Sequence, residues 1–274
     1  MVDDAKLKEL VNQSGFPLQL AIQNTIEKAN IGWRVTFTEH YWSHPTTKEN
    51  GYIDLVIEDD TRTIVAITEC KRTQDWPWIF LTPKLTDRRR AKLWFTSYRG
   101  AVQKYCDWKD AAPDPASEES SYCVVSGQDS KSKPMLERIA ADVVMSTEGF
   151  ALEELQPIKD GTNVNGSISH KNYVLRVYIT LIVTTAEIKI CELPPSEISI
   201  ADGKSNKMDF KTVPFVRFRK QVTEQYYKNL NFDIFENEAR TRANESTVFV
   251  VNASHLVDFL RSFNVDNYSY RGIE

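Results

Sequence analysis

Residues Tyr173 to Glu192 contain a long apolar, β-branched run, Val-Leu-Arg-Val-Tyr-Ile-Thr-Leu-Ile-Val-Thr-Thr-Ala-Glu-Ile-Lys-Ile-Cys. A strand with one wet face alternates apolar and polar residues. The first half of this run does not, which predicts a central strand covered on both sides. Such a strand needs a sheet with further layers packed on it, so the chain is expected to be an α/β protein. Pro194-Pro195 ends the run. Upstream, Met135, Leu136, Ile139, Ala140, Val143, Val144 and Phe150 recur near helical spacing. They predict a helix over 132–155, with Ser132 as its N-cap and Pro134 in its first turn. Val213 to Arg219 and Thr247 to Asn252 read as strands. Ala253 to Phe263 reads as a closing helix capped near Asn252 or Ser254. Asp110 to Ser121 and Lys159 to Asn172 have loop composition.

A second feature carries chemistry. Gly51 to Ile57 and Val65 to Arg72 are short apolar segments, and Glu58 to Thr63 between them is turn-like, so together they predict a hairpin. Glu69 and Lys71 are two apart on the second strand and share a face. Asp54, on the first strand, reaches that face if the register allows. Two carboxylates and an ammonium group on otherwise apolar strands are costly without a partner. A divalent cation is the natural one, and Asp and Glu oxygens suit Mg²⁺.

Asp54 followed by Glu69-Cys70-Lys71 resembles the PD-(D/E)XK nuclease superfamily, whose pattern is an acidic residue on one strand and Glu-x-Lys on the next. The usual Pro before the Asp is replaced by Ile53. The upstream context, Gly15-Phe16-Pro17-Leu18-Gln19, then a helix, then Gly32-Trp33-Arg34-Val35, is similar to the opening helix and first strand of that superfamily. The resemblance implies a restriction-endonuclease-like αβββαβ core, a central mixed sheet flanked by helices. It implies metal-dependent hydrolysis of phosphodiester bonds in DNA. Asp54, Glu69 and the Cys70 carbonyl would hold one or two Mg²⁺ or Mn²⁺ ions. Lys71 would orient or deprotonate the attacking water, or offset charge on the phosphate. Gln19 or Gln23, one helical turn apart, and Glu39 on the first strand would support the site. The chain then divides into a core over 6–72 and 132–192, an insertion over 73–131 and a C-terminal extension over 200–274, all within one elaborated domain.

The net charge is −4, but it is unevenly spread. Between Lys84 and Lys109 eight basic residues face only Asp87 and Asp107, and between Lys211 and Lys228 five face only Glu224. Concentrated positive charge beside an acidic metal site is what a phosphodiester substrate requires. Arg88, Arg89, Arg90, Lys92, Arg217, Arg219 and Lys220 are therefore the expected phosphate contacts. Trp94, Phe95, Tyr98, Tyr105 and Trp108 interleave with the first run, placed either to stack on bases or to pack on the sheet.

Other chemistries find no support. Cys70, Cys106, Cys123 and Cys191 are scattered, without Cys-x-x-Cys or a Cys/His cluster. His40 and His44 lie in a strand-to-loop region, where helical ligand spacing does not apply. No Gly-x-Ser-x-Gly, Walker A or dinucleotide fingerprint is present. No segment approaches the ~20 apolar residues of a membrane span, and the polar N-terminus is unlike a signal peptide, so a cytoplasmic protein is expected. No target-reading domain is visible. This favours reliance on a partner such as a helicase or sensor, within a restriction or antiviral defence system. A nuclease-fold module that binds nucleic acid or a protein without catalysis is the alternative, and homo-oligomers remain open to either.

Overall fold

The computed structural model describes residues 3–73, 76–82, 90–99, 102–126, 134–154, 173–205, 207–222, 245–266 and 269–270. Two helices, α1 (Asp4–Gln13) and α2 (Phe16–Ala29), precede three strands, β1 (Trp33–Ser43), β2 (Asn50–Asp59) and β3 (Ile64–Lys71). Next come β4 (Trp78–Thr82), β5 (Ala91–Arg99), β6 (Val102–Ala111), β7 (Pro113–Asp114), β8 (Glu119–Ser120) and β9 (Tyr122–Val124). Helix α3 (Met135–Glu154) leads to β10 (Tyr173–Thr184), β11 (Ile188–Glu192), β12 (Asp209–Thr212), β13 (Phe215–Lys220) and β14 (Ser246–Asn252). The chain closes with α4 (Leu256–Ser262) and β15 (Asn264–Val265).

These elements form a mixed α/β fold. The main sheet runs β1-β2-β3-β10-β14-β13-β8, with β5 and β6 attached through β10. Strand β10 is central, as its composition requires. Along one edge it pairs in parallel with β3. Its other edge is divided: Tyr173 to Tyr178 pair antiparallel with β5, and Thr180 to Thr184 pair parallel with β14. A second sheet, β12-β11-β4-β9, packs beside the main one.

Side-chain alternation sends the core to both faces. On β3, Val65 and Ile67 join a cluster with Leu136, Ile139, Val143, Val144 and Phe150 of α3 and with Trp78, Phe80, Ile188 and Ile190 of the second sheet. Ile64, Ala66 and Cys70 join the opposite cluster with Ile22 and Ile26 of α2 and Leu256, Phe259 and Leu260 of α4. Each fully buried aliphatic side chain contributes about 1.5–3 kcal/mol, so the two layers, rather than helix propensity, hold the helices in place.

Several expectations change. The segment read as an insertion, 73–131, supplies β5 to the main sheet and β4 and β9 to the second. The stretch from Asp110 to Ser121 is not all loop: Asp110 and Ala111 finish β6, β7 pairs with β15, and β8 pairs with β13. Cross-strand partners far along the chain override loop composition there. The Lys159–Asn172 segment lies outside the described residues. The closing helix is shorter than expected, because Ala253–His255 form a 3₁₀ turn in which Asn252 caps Ser254 N–H.

Candidate active site

The β2–β3 ladder runs from Glu58↔Val65 to Leu55↔Thr68 and stops there. One step further, Asp54 replaces the ladder. Its Oδ2 accepts the backbone N–H of Cys70 at 2.6 Å. The carboxylate thus satisfies an amide that the diverging strand can no longer reach. Two irregularities permit the divergence. Glu39 on β1 has φ +49, and it lies between the register pairs Thr38↔Leu55 and His40↔Ile53. Leu55 points into the α2–α4 cluster whereas Ile53 points into the α3 cluster, so the alternation of β2 slips at Asp54.

Glu69 and Lys71 follow the phase of Val65 and Ile67, on the α3 face, and Cys70 points away from them into the core. Lys71 Nζ lies 2.5 Å from Glu69 Oε1, with side chains 37% and 20% exposed. The electrostatics tie the group together. Burial, and then the charge of Glu69, push the Asp54 carboxyl up from 3.8 to about 7. The Cys70 amide and Lys71 oppose that push, and Glu39 adds a small one. For Lys71, burial pulls the ammonium down, but the charge and hydrogen bond of Glu69, with Asp54, more than reverse it. Lys71 is therefore a firm cation at neutral pH, not a base in waiting.

Comparison with known proteins returns no relative. No family model, curated protein or solved structure matches this chain.

The structure thus brings Asp54, Glu69, Lys71 and, at the margin, Glu39 to the end of the β2–β3 pair. It does not bring the glutamines. Gln19 and Gln23 lie on α2, which packs on the opposite face through Ile22 and Ile26. Gln23 donates to Glu27 Oε1 at 3.0 Å, along its own helix. Among the described residues neither glutamine bonds to the carboxylates.

The expected phosphate contacts divide. Arg88 and Arg89 lie outside the described residues. Arg90 faces Asp110 at 3.4 Å. Arg217 and Arg219 are corrected outright: they are 1% and 2% exposed and sit inside the protein. Arg217 bonds to Ser117 and to the carbonyl of Arg90, and Arg219 to Glu245 and Asp110. Lys92 is likewise buried. None of these three side chains lies on an open surface along which a nucleic-acid backbone could run. Lys220 pairs with Glu137 and covers the Tyr122 ring. The interleaved aromatics are also core: Trp94, Phe95, Tyr98 and Trp108 are buried, which leaves no room for stacking bases.

Sequence reasoning missed the polar contacts that brace this region. Arg72 donates to the Asn12 carbonyl at 2.8 Å, tying α1 to the end of β3. Buried His44 accepts the Thr46 and Thr47 amides at Nδ1, which leaves Nε2 facing Glu148 at 3.3 Å. Glu148 also accepts Trp108 Nε1. His40 lies 3.7 Å from Glu153. Both histidines thus brace β1 against α3, and residue spacing held no sign of partners a hundred positions away.

Proposed function

We propose that this chain is a metal-dependent nuclease that hydrolyses phosphodiester bonds in DNA. The observation that carries the reading is the convergence of Asp54 and Glu69 where β2 parts from β3, with Lys71 beside them. The donor chemistry fits a hard divalent cation. Burial, and then the charge of Glu69, push Asp54 to about 7, and an ion bound between the two carboxylates would offset both costs. Asp54, Glu69 and the Cys70 carbonyl would hold it, and a bound Mg²⁺ would supply Lewis acidity and an acidified water. Lys71, held protonated, steers the phosphate and offsets the charge that develops on it. Glu69 fixes the position of Lys71 through their short ion pair.

One observation favours a second reading, a nuclease-fold module that binds without catalysis. Asp54 and Cys70 N–H satisfy each other, as do Glu69 and Lys71. Among the described residues no three His, Cys, Asp or Glu side chains group closely enough to cage an ion. One experiment separates the readings. Plasmid and single-stranded DNA are incubated with the purified chain in Mg²⁺ or EDTA, with Glu69→Ala beside it. Mg²⁺-dependent cleavage lost in the variant supports the nuclease. Binding without cleavage supports the module. No helix among the described residues is long and apolar enough to cross a membrane.

A further inference from the structure

The first two strands run on together after the third has left them. Strand β2 pairs with β3 only from Leu55 to Glu58, whereas its pairing with β1 continues through Ile53, Tyr52, Gly51 and Asn50. Past Asp54 the sheet is therefore a two-stranded ribbon, and its faces differ. On one face Trp42 and Ile53 are buried in the α3 cluster. Trp42 is held tightly there: an added Cβ at Gly149 of α3 would stand 2.5 Å from its ring, and one at Gly51, its register partner, 3.3 Å. Tyr41 and Tyr52 each precede one of these residues in phase and point to the other face. They are partners in register as well, with ring centroids 5.6 Å apart and planes at 68°. Their exposures are 52% and 63%.

A cross-strand aromatic pair can steady a ribbon. This ribbon is already anchored through Trp42, and steadying it does not call for two rings left more than half in water. Position gives the pair a use. Tyr52 is two residues from Asp54, about 7 Å along a strand. Packing of α3 on Trp42 closes the opposite face. A polymer that reaches Asp54 along the ribbon therefore crosses the tyrosine face.

We infer that Tyr41 and Tyr52 form a base-stacking platform, and that the substrate of the adjoining acidic site is a single strand or an unpaired end. This rests on the nuclease reading and names the substrate class for it. An aromatic face takes any base, and stacking supplies much of the affinity of proteins for single strands. In a duplex the bases are stacked on one another and their faces are closed, so a platform of this kind selects unpaired nucleotides. The anchored Trp42 holds the platform in place before the strand arrives, which lowers the ordering cost of binding. A protein partner is the competing occupant, and the closeness of the pair to Asp54 favours the nucleic acid.

The test is fluorescence anisotropy of the full chain in EDTA, where the nucleic acid stays whole. Three labelled probes are compared: a short single strand of DNA, the same strand with every base removed, and its duplex. The intact single strand should bind about ten-fold or more tighter than either of the others. Tyr41→Ser and Tyr52→Ser should each lose about ten-fold on the intact strand and nothing on the abasic one, while Tyr52→Phe, which keeps the ring, should bind as wild type does. The abasic comparison needs no variant, so it decides even where a serine variant fails to fold. Equal affinity for the intact and abasic strands overturns the inference. So do a folded Tyr52→Ser variant that binds as wild type does, and absence of binding to any probe, which would leave the face to a protein. Ring-dependent binding without Mg²⁺-dependent cleavage would sink the nuclease reading alone. Cleavage of single strands at the wild-type rate and affinity by a Tyr41→Ser, Tyr52→Ser double variant would sink this one alone.

Discussion

Replacing Asp54 with Asn removes one ionisable group and keeps the shape and the acceptor that Cys70 N–H needs. In the wild-type protein burial and Glu69 raise the Asp54 pKa from 3.8 to about 7. The unfolded chain ionises the same group near pH 4. Between those values the folded state keeps a proton that the unfolded state has released, so stability falls as pH rises through the window. Below about pH 4 both states hold the proton and the penalty vanishes; above about pH 7 it is complete. A shift of about 3 pKa units corresponds to at most about 4 kcal/mol, and partial solvent access lowers it toward about 1–3 kcal/mol. Urea unfolding followed by tryptophan fluorescence, in EDTA at pH 4 and pH 8, reads the difference. Asp54→Asn should exceed wild type by about 1–3 kcal/mol at pH 8 and match it at pH 4. Mg²⁺ at pH 8 should narrow the gap by stabilising the wild type alone. A wild-type–variant difference that is the same at both pH values, or that favours wild type at pH 8, would refute the account of Asp54.

Other expectations follow from single contacts. Lys71→Ala should abolish Mg²⁺-dependent cleavage while changing stability by about 1 kcal/mol or less, because its pair with Glu69 is partly solvated; wild-type cleavage by the variant would remove Lys71 from the mechanism. Arg176 holds Glu154 at 2.5 Å and Glu58 at 3.2 Å, both poorly exposed, so Arg176→Met should cost about 3–5 kcal/mol in urea unfolding; a cost under about 1 kcal/mol would show that the acids find other partners. Gly149→Ala would place a methyl group 2.5 Å from Trp42 Cε3, so thermal unfolding should report a loss of about 1–3 kcal/mol with altered Trp fluorescence; an unchanged midpoint would mean that the indole shifts freely.

What the sequence disclosed depended on how far apart the cooperating residues lie. The β2–β3 hairpin, α3, β10 and the Asn252 cap announce themselves through spacing within a few residues, and each stands close to where its pattern puts it. Asp54, Glu69 and Lys71 were reachable for the same reason, since a short turn joins their strands. The burial of Arg217 and Arg219 was not legible. Their acids, Asp110, Glu119 and Glu245, come from three other places in the chain, and a basic strand reads as a wet one until those partners are known. The basic run before Lys109 misled in the same way. Its basic residues suggest an open track, while Ala91, Leu93 and Phe95 on one side of β5 and Trp94 on the other supply core to both faces, the packing alternative that the interleaved aromatics offer.

The divided edge of β10 has a consequence for anyone who trims this protein. Residues 73–131 invite deletion, because they fall between the Glu69-Cys70-Lys71 strand and the next helix. Yet β5 covers the Tyr173–Tyr178 half of β10, and β14 reaches only the other half. A shortened chain would present a row of bare amides and carbonyls along an apolar strand in the middle of its sheet, a ready template for another copy. Such a minimal version should aggregate unless a substitute strand, or a charged cover, is supplied for that half-edge.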